Sequence, residues 1–585
     1  MPRTKLRVVA SSAATPGETN AYSCRELVLS RGSRTGSDQK GSPEEQSQPV
    51  RQAWAAPDRP PERALVGGSN PPEPHLSLAA MKRKARWSRS AHLGLVAALS
   101  TMRRRLDQVG CCSCLRAERN AQHLPAHLYC AADALLSPRL TVALLAVLSF
   151  FMCWQTAFAE DADQGASRTG APVQNAFDHD PLSGSRAVTT ILRDDREEKA
   201  DLLNLNILKA WKAWKAGIAE STGLSFGGDY LAVGFAATGS LGDDTSASGV
   251  ARFFGSWELL NRGAANTGSV VFKIENRHAY TDIAPSAFGF DVGFVGTPEP
   301  VFNDDGFRAT TLYWKQDFAD DRALFRVGFL DMKEYFDGYA LASPWTGFFN
   351  LAFTIGSNTM ITLPDAALGA MVGGYLTDNI YAAASIIDAG FQPTSMFQGF
   401  DTFFGDFNTF KTAEIGITGG GKRFLFDNAH IAVWQQDESD DSGTQRGWGV
   451  NASVSHVVDE HWLPFLRAAW ANEGGGLYEV SVSGGFGYQN KPGGNLLGVG
   501  LNWGRPNSDT FGVDLDDQLI SEVFYRIQLT ENFQITPNLQ IVGNPALNPD
   551  RDVVALFGLR ARVTSDPDRG TDAPKFSQGP SDGAA

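Results

Sequence analysis

From Gly223 onward the sequence alternates. In SVVFKIENRHAY, Phe272 and Ile274 fall on one face while Lys273, Glu275 and Arg277 fall on the other, and RALFRVGFLDM sets Phe325, Val327 and Phe329 against Arg326. EVFYRIQLT places Val523, Tyr525, Ile527 and Leu529 opposite Glu522, Arg526 and Gln528. RDVVALFGLRARVT does the same with Val553, Ala555, Phe557, Leu559, Ala561 and Val563 against Asp552, Arg560 and Arg562. A strand rises about 3.3 Å per residue and turns successive side chains to opposite faces, so each segment has one apolar wall and one charged wall. No apolar run here approaches the roughly 18 residues of a membrane helix, which excludes a helical membrane protein. The apolar wall must meet either a second sheet, as in a soluble sandwich, or lipid, as in an outer-membrane barrel.

Three further features favour the barrel. The segment VALLAVLSFFMCWQTAFAED has Arg139 before an apolar run and Ala157-Phe158-Ala159 before Glu160. These are the three parts of an export signal, assigned to 139–159, and its run of about 15 residues is short for a membrane anchor. Loop lengths divide as barrel rims require: YLTDNIY and SHVVDEHW turn tightly, whereas DAGFQPTSMFQGFDTFFGDFNTF and NWGRPNSDTFGVDLDDQL are long. Aromatic residues near strand ends (Trp257, Tyr280, Tyr313, Trp314, Trp434, Trp470 and Trp503) fit interfacial girdles.

Charge and cysteine change at the same boundary. Residues 1–159 carry a net charge of plus 10 and the remaining 426 a net of minus 24, and all six cysteines, from Cys24 to Cys153, lie in the first part. An exported chain without cysteine cannot rest on disulfides or thiolate metal sites, so packing and backbone hydrogen bonds must hold it. Residues 1–138, rich in Pro, Gly, Ser and charge, read as an unstructured leader or as sequence upstream of a true start at Met81, Met102 or a non-Met codon. The segment 160–219 is expected to be a linker and an amphipathic helix. In EEKADLLNLNILKAWKAWKAGIAE, Leu203, Leu205, Ile207, Leu208, Trp211 and Trp214 recur near a 3.6 period with Lys209, Lys212 and Lys215 opposite. Such a helix could lie on a membrane, plug a pore or pack under a barrel; simple packing is the expectation. The barrel itself is expected over 220–564 and a disordered tail over 565–585.

The closing segment 520–564 carries a resemblance. Its E-x-F-Y-R-x-Q-L-T, I-T-P-x-L-Q, N-P-A-x-N-P and final G-L-R-A-R resemble the last strands of carbohydrate-selective outer-membrane porins of OprB type, with weaker likeness through GFLDMKEYFDG and GGYLTDNIYAAASIIDA back to about Gly223. The resemblance implies an all-β fold: an antiparallel transmembrane β-barrel of 16 strands, preceded by a short helix, that lets sugars diffuse across the outer membrane of a Gram-negative bacterium. About 14 strands are legible, which would place two more near 283–306 or 343–365. The chain departs from the family where strand-like sequence stops at Thr564 without a terminal aromatic residue and a polar tail follows.

A sugar is neutral, flat on its C–H faces and rich in hydroxyls, so aromatic faces with Arg and carboxylate groups suit weak, repeated contacts during passage. The candidate pore-lining residues are the inward-phase charges Lys273, Glu275, Arg277, Arg326, Arg467, Glu522, Arg526, Arg560 and Arg562; solvation or ion pairing along the wall is the competing role. GITGGGK (Gly416–Lys422) matches a phosphate loop in spacing, but Arg423 replaces the hydroxyl residue and a strand follows, so a hairpin turn is expected. The five histidines after Ala159 form no recognisable nucleophile motif. The expectation is a passive porin and not an enzyme, with no cofactor and no metal, whose partners are small-molecule sugars and outer-membrane lipid, with no nucleic acid and with homo-oligomerisation left open. A general or ion-selective porin, or a barrel enzyme, stands as the alternative.

Overall fold

The computed structural model describes residues 182–196, 202–203, 208–262, 264–360, 364, 366–392, 394–420, 423–490 and 494–565. The leader, the export signal and the tail beyond Ser565 therefore lie outside the described residues. Sixteen strands close into one antiparallel barrel in sequence order: β1 Leu224–Ala237, β2 Thr245–Leu260, β3 Gly268–Ala279, β4 Gly306–Phe318, β5 Ala323–Leu330, β6 Ala367–Tyr375, β7 Ile380–Asp388, β8 Thr409–Thr418, β9 Asn428–Gln436, β10 Gly447–Ser455, β11 Trp462–Glu473, β12 Tyr478–Gln489, β13 Leu496–Pro506, β14 Gln518–Thr530, β15 Phe533–Gly543 and β16 Val553–Thr564. β1 pairs with β16 from Asp229↔Thr564 to Ala237↔Leu556, so no sheet edge is left open. Closure is what lipid demands, because an unpaired backbone group has no water to bond there.

The alternation read from sequence decides which wall each residue joins. On β16, Val553, Phe557, Leu559 and Val563 are exposed on the outside while Val554, Leu556, Arg560 and Arg562 are buried inside. Val327, Val372, Ile415, Val433, Leu501, Val523 and Ile541 continue the exposed apolar band around the barrel. Such a band is favourable only against an apolar medium, at about 25 cal/mol for each Å² removed from water. No described helix is long and apolar enough to cross a bilayer.

The rims differ as the loop lengths predict. Connections 319–322, 376–379, 456–461 and 531–532 make one rim short, whereas 280–305, 331–366, 389–408 and 507–517 make the other long. The stretches proposed to hide two strands, 283–306 and 343–365, show none among their described residues: apart from the opening residue of β4 these belong to long-rim loops that fold inward, and the strand count is completed elsewhere. They show no period of two because they face side chains on all sides. Two expected girdle residues are also corrected. Tyr313 and Trp434 are buried on the inward phase, within their strands and away from lipid.

Among the described residues the segment before the barrel holds two helices, α1 Val188–Arg196 and α2 Lys209–Thr222, the second over the end of the stretch expected to be helical; residues 197–201 and 204–207 lie outside the described residues. Gly223 ends α2 in the left-handed conformation, with φ of 78°, and its N–H donates to the Ala219 carbonyl. That cap turns the chain directly into β1.

Candidate functional site

Three segments fill the barrel interior: residues 182–192, the loop 280–305 and the loop 331–366. The first is seated by Leu182 against inward-facing Gly373, where a Cβ would collide with the leucine side chain, and by Arg326, which donates to Ser183 Oγ at 3.0 Å. Val188, Ile191 and Leu192 of α1 are buried against the side of β1, β2 and β3. The loop 331–366 lies against β11–β14. Its Phe348 and Phe353 rings lie tilted with centroids 4.9 Å apart, and Phe348 meets Phe465 and Phe524 edge-on. Gly500 makes the room, since a Cβ there would lie 2.7 Å from Phe353.

Charged residues of the wall hold these segments. Asp337, in the inward loop, accepts from the Gly356 amide at 2.8 Å, from Asn451 of β10 and His430 of β9 at 3.3 Å each, and from Arg467 of β11. Burial opposes its ionisation, yet Arg467 and the His430 hydrogen bond hold its carboxyl down to about 2. Glu522 of β14 accepts from the amides of Phe349 at 2.7 Å and Asn350 at 2.9 Å. Arg560 donates to the carbonyls of Pro344 and Gly347 and stacks 3.9 Å over Phe349. Lys273 bonds Glu334 and lies 3.4 Å from Asp331.

All nine sequence-derived candidates thus face inward, and the structure brings them into two groups. Lys273, Glu275, Arg277, Arg326 and Arg562 gather on the side of β1–β5, where Arg277 donates to Glu275 at 2.7 Å and Arg562 to Asp229 at 2.8 Å. Arg467, Glu522, Arg526 and Arg560 clasp the inward loop, with half-buried Arg526 donating to the Thr346 carbonyl at 3.1 Å. The other eight are buried.

Other residues escaped the sequence reading. Arg252 of β2 pairs in a fork with Asp229 at 2.8 and 2.6 Å and lies 4.0 Å over the Trp345 ring, with Arg186 of the N-terminal segment at 5.9 Å from the same ring. Arg252 sits in the inward phase of TSASGVARFFGSW, so alternation could have found it. Asp337, Glu299 and Trp345 could not be found that way, because their loops have no period. Burial pushes the Glu299 carboxyl well above the usual range despite Arg560 at 3.6 Å. Arg252 Nη1, Thr310 Oγ1, Thr311 Oγ1 and Trp345 Nε1 have no hydrogen-bond partner among the described residues. Buried polar atoms normally have partners, so water or a solute hydroxyl is the chemistry that suits them. The interior thus carries Arg and aromatic groups with paired charges, and among the described residues they form no arrangement of nucleophile and base.

Comparison with known proteins agrees with this geometry. Residues 426–564, essentially β9–β16, match the carbohydrate-selective porin, OprB family. That half of the barrel is similar to the OprB-type porins. The high-pH structure of Pseudomonas putida OprB is similar to this chain with a TM-score of 0.50 at 13% identity, over 63% of this chain and 100% of the other. Its low-pH structure has a TM-score of 0.36 at 11% identity, over 61% and 97%. A mutant of the Rh. blastica porin has 0.36 at 13%, over 58% and 99%. No curated protein matches. The matched family is one of channels rather than enzymes, and the porin fold implies the bacterial outer membrane.

Proposed function

We propose that this porin carries carbohydrates passively across the outer membrane of a Gram-negative bacterium. The match of β9–β16 to the carbohydrate-selective family carries the reading. The electrostatics of the interior support it. The wall charges are neutralised locally, Asp229 by Arg252 and Arg562, Glu275 by Arg277 and Lys273, Asp337 by Arg467. Paired charges cast little field beyond a few ångströms, which favours neutral solutes over ions of either sign. Lys273, Arg326, Arg467, Glu522, Arg526 and Arg560 are assigned to positioning the inward segments that shape the path, Glu275, Arg277 and Arg562 to pairing charge along the wall, and the buried Arg252–Trp345 stack to bracing the inward loop. Assembly into homo-oligomers in lipid accords with the same family.

The test is conductance in planar bilayers with added glucose or maltodextrins. Conductance steps reduced by sugar are expected. Absence of conductance steps would end the pore reading. Steps indifferent to sugar would leave a general porin.

A further inference from the structure

The helix α2 packs the wrong way round for a helix in water. Lys212 and Lys215 are 5% and 6% exposed, whereas Trp211 and Trp214 are 39% and 52% exposed. A helix lying on a water-facing surface gains by burying its tryptophans and leaving lysines solvated. This one holds itself to the short-turn rim through the lysines: Lys212 bonds Glu531 in the β14–β15 turn, and Lys215 Nζ lies 5.0 Å over the Phe226 ring.

Where the tryptophans point decides the matter. Their rings stand 4.8 Å apart and both meet Phe226, at 6.5 and 6.1 Å, edge-on. Phe226 is on the outward phase of β1, and its ring continues to outward Phe253 at 6.0 Å and Phe272 at 5.6 Å. The Trp face therefore extends the lipid-facing band of the barrel around the rim. Trp257, also outward, donates its indole N–H to the Thr222 carbonyl at 3.1 Å and fixes the end of the helix at that level. Indole rings, with an apolar body and one N–H, are suited to the headgroup boundary.

We infer that α2 is an interfacial anchor: it lies along the short-turn rim outside the barrel with Trp211 and Trp214 inserted into the phospholipid leaflet on that side. The partner is the lipid surface, because the exposed face is continuous with the band the barrel itself presents to lipid and because both lysines are buried, Lys212 on Glu531 and Lys215 against Phe226.

The chain offers a clean probe, since no cysteine follows Cys153. Trp214→Cys and, separately, Ile218→Cys, which lies on the same flank and keeps both tryptophans, are introduced into the full porin. Any cysteine retained from residues 1–153 is replaced by Ser. Each variant is nitroxide-labelled and reconstituted in phosphatidylethanolamine–phosphatidylglycerol vesicles, with Asp441→Cys on the opposite rim as the water reference. Collision of the label with oxygen should exceed collision with a water-soluble nickel chelate several-fold at 214 and 218, and the reverse should hold at 441. Chelate access at 214 and 218 equal to that at 441 would overturn the inference. So would shielding from both quenchers with dipolar broadening, which would place a second copy of the chain on this face. Heat-modifiable gel mobility identifies the folded barrel, and the Ile218 label decides if the Trp214 variant does not fold.

Discussion

Replacing Asp337 by Asn should loosen the inward loop without opening the barrel. The carboxylate is the common acceptor for Arg467, His430, Asn451 and the Gly356 amide, so the substitution leaves the Arg467 guanidinium, 1% exposed, without its counter-charge. Breaking a buried pair from one side costs about 3 to 5 kcal/mol. Arg467 keeps the carbonyls of Phe353 at 3.2 Å and Thr354 at 2.5 Å, which places the loss toward the lower figure. About 3 kcal/mol corresponds to an opening equilibrium raised about 150-fold. Amide exchange over 331–366 should accelerate by that order while the β11–β14 amides stay protected, and single-channel records should gain current noise. Unchanged exchange in 331–366, with heat-modifiable mobility intact, would refute the assignment of Asp337 as the latch. Acid should act in the same direction. The carboxyl is held at about 2 against an ordinary 3.8, so its contribution is complete above pH 4 and is lost as pH falls through about 2. The loss amounts to about 2 kcal/mol by linkage, and Asp337→Asn should abolish this part of the acid sensitivity.

Leu559→Arg puts a charge at an outward position in mid-strand, opposite Gly234 and Pro537, and should destabilise refolding into vesicles by about 2 to 4 kcal/mol in a urea titration; an effect under 1 kcal/mol would contradict the lipid-facing assignment. Deleting residues 182–196 removes a segment that includes a helix about 10 Å across from the interior. Unitary conductance should rise about twofold or more, and an unchanged value would show that this segment does not obstruct the path.

The wall of this barrel was legible because each of its strands states its own two faces. RDVVALFGLRARVT assigns Leu559 to lipid and Arg560 to the interior with no reference to any other segment, and the structure places them so. The filling was not legible. Asp337 becomes a latch only when β9, β10 and β11 converge on it, and Trp345 becomes a platform only under Arg252. Those contacts join residues dozens of positions apart in a loop with no period. The amphipathic stripe of α2 was legible as a stripe, but its direction was not. The 3.6 period shows that Trp and Lys fall on different faces, whereas the medium on each side belongs to the whole barrel.

Asp229 carries a consequence for how the barrel is made. Its partner Arg252 is 23 residues away on the adjoining strand, and its other partner, Arg562, is 333 residues away across the β1–β16 pairing. Local contacts close at lower entropic cost than distant ones, so the β1–β2 hairpin is able to orient the carboxylate on one guanidinium without the seam. Arg562 is then a buried cation with a counter-charge only where β16 is paired to β1, which ties the neutrality of this wall to closure of the cylinder.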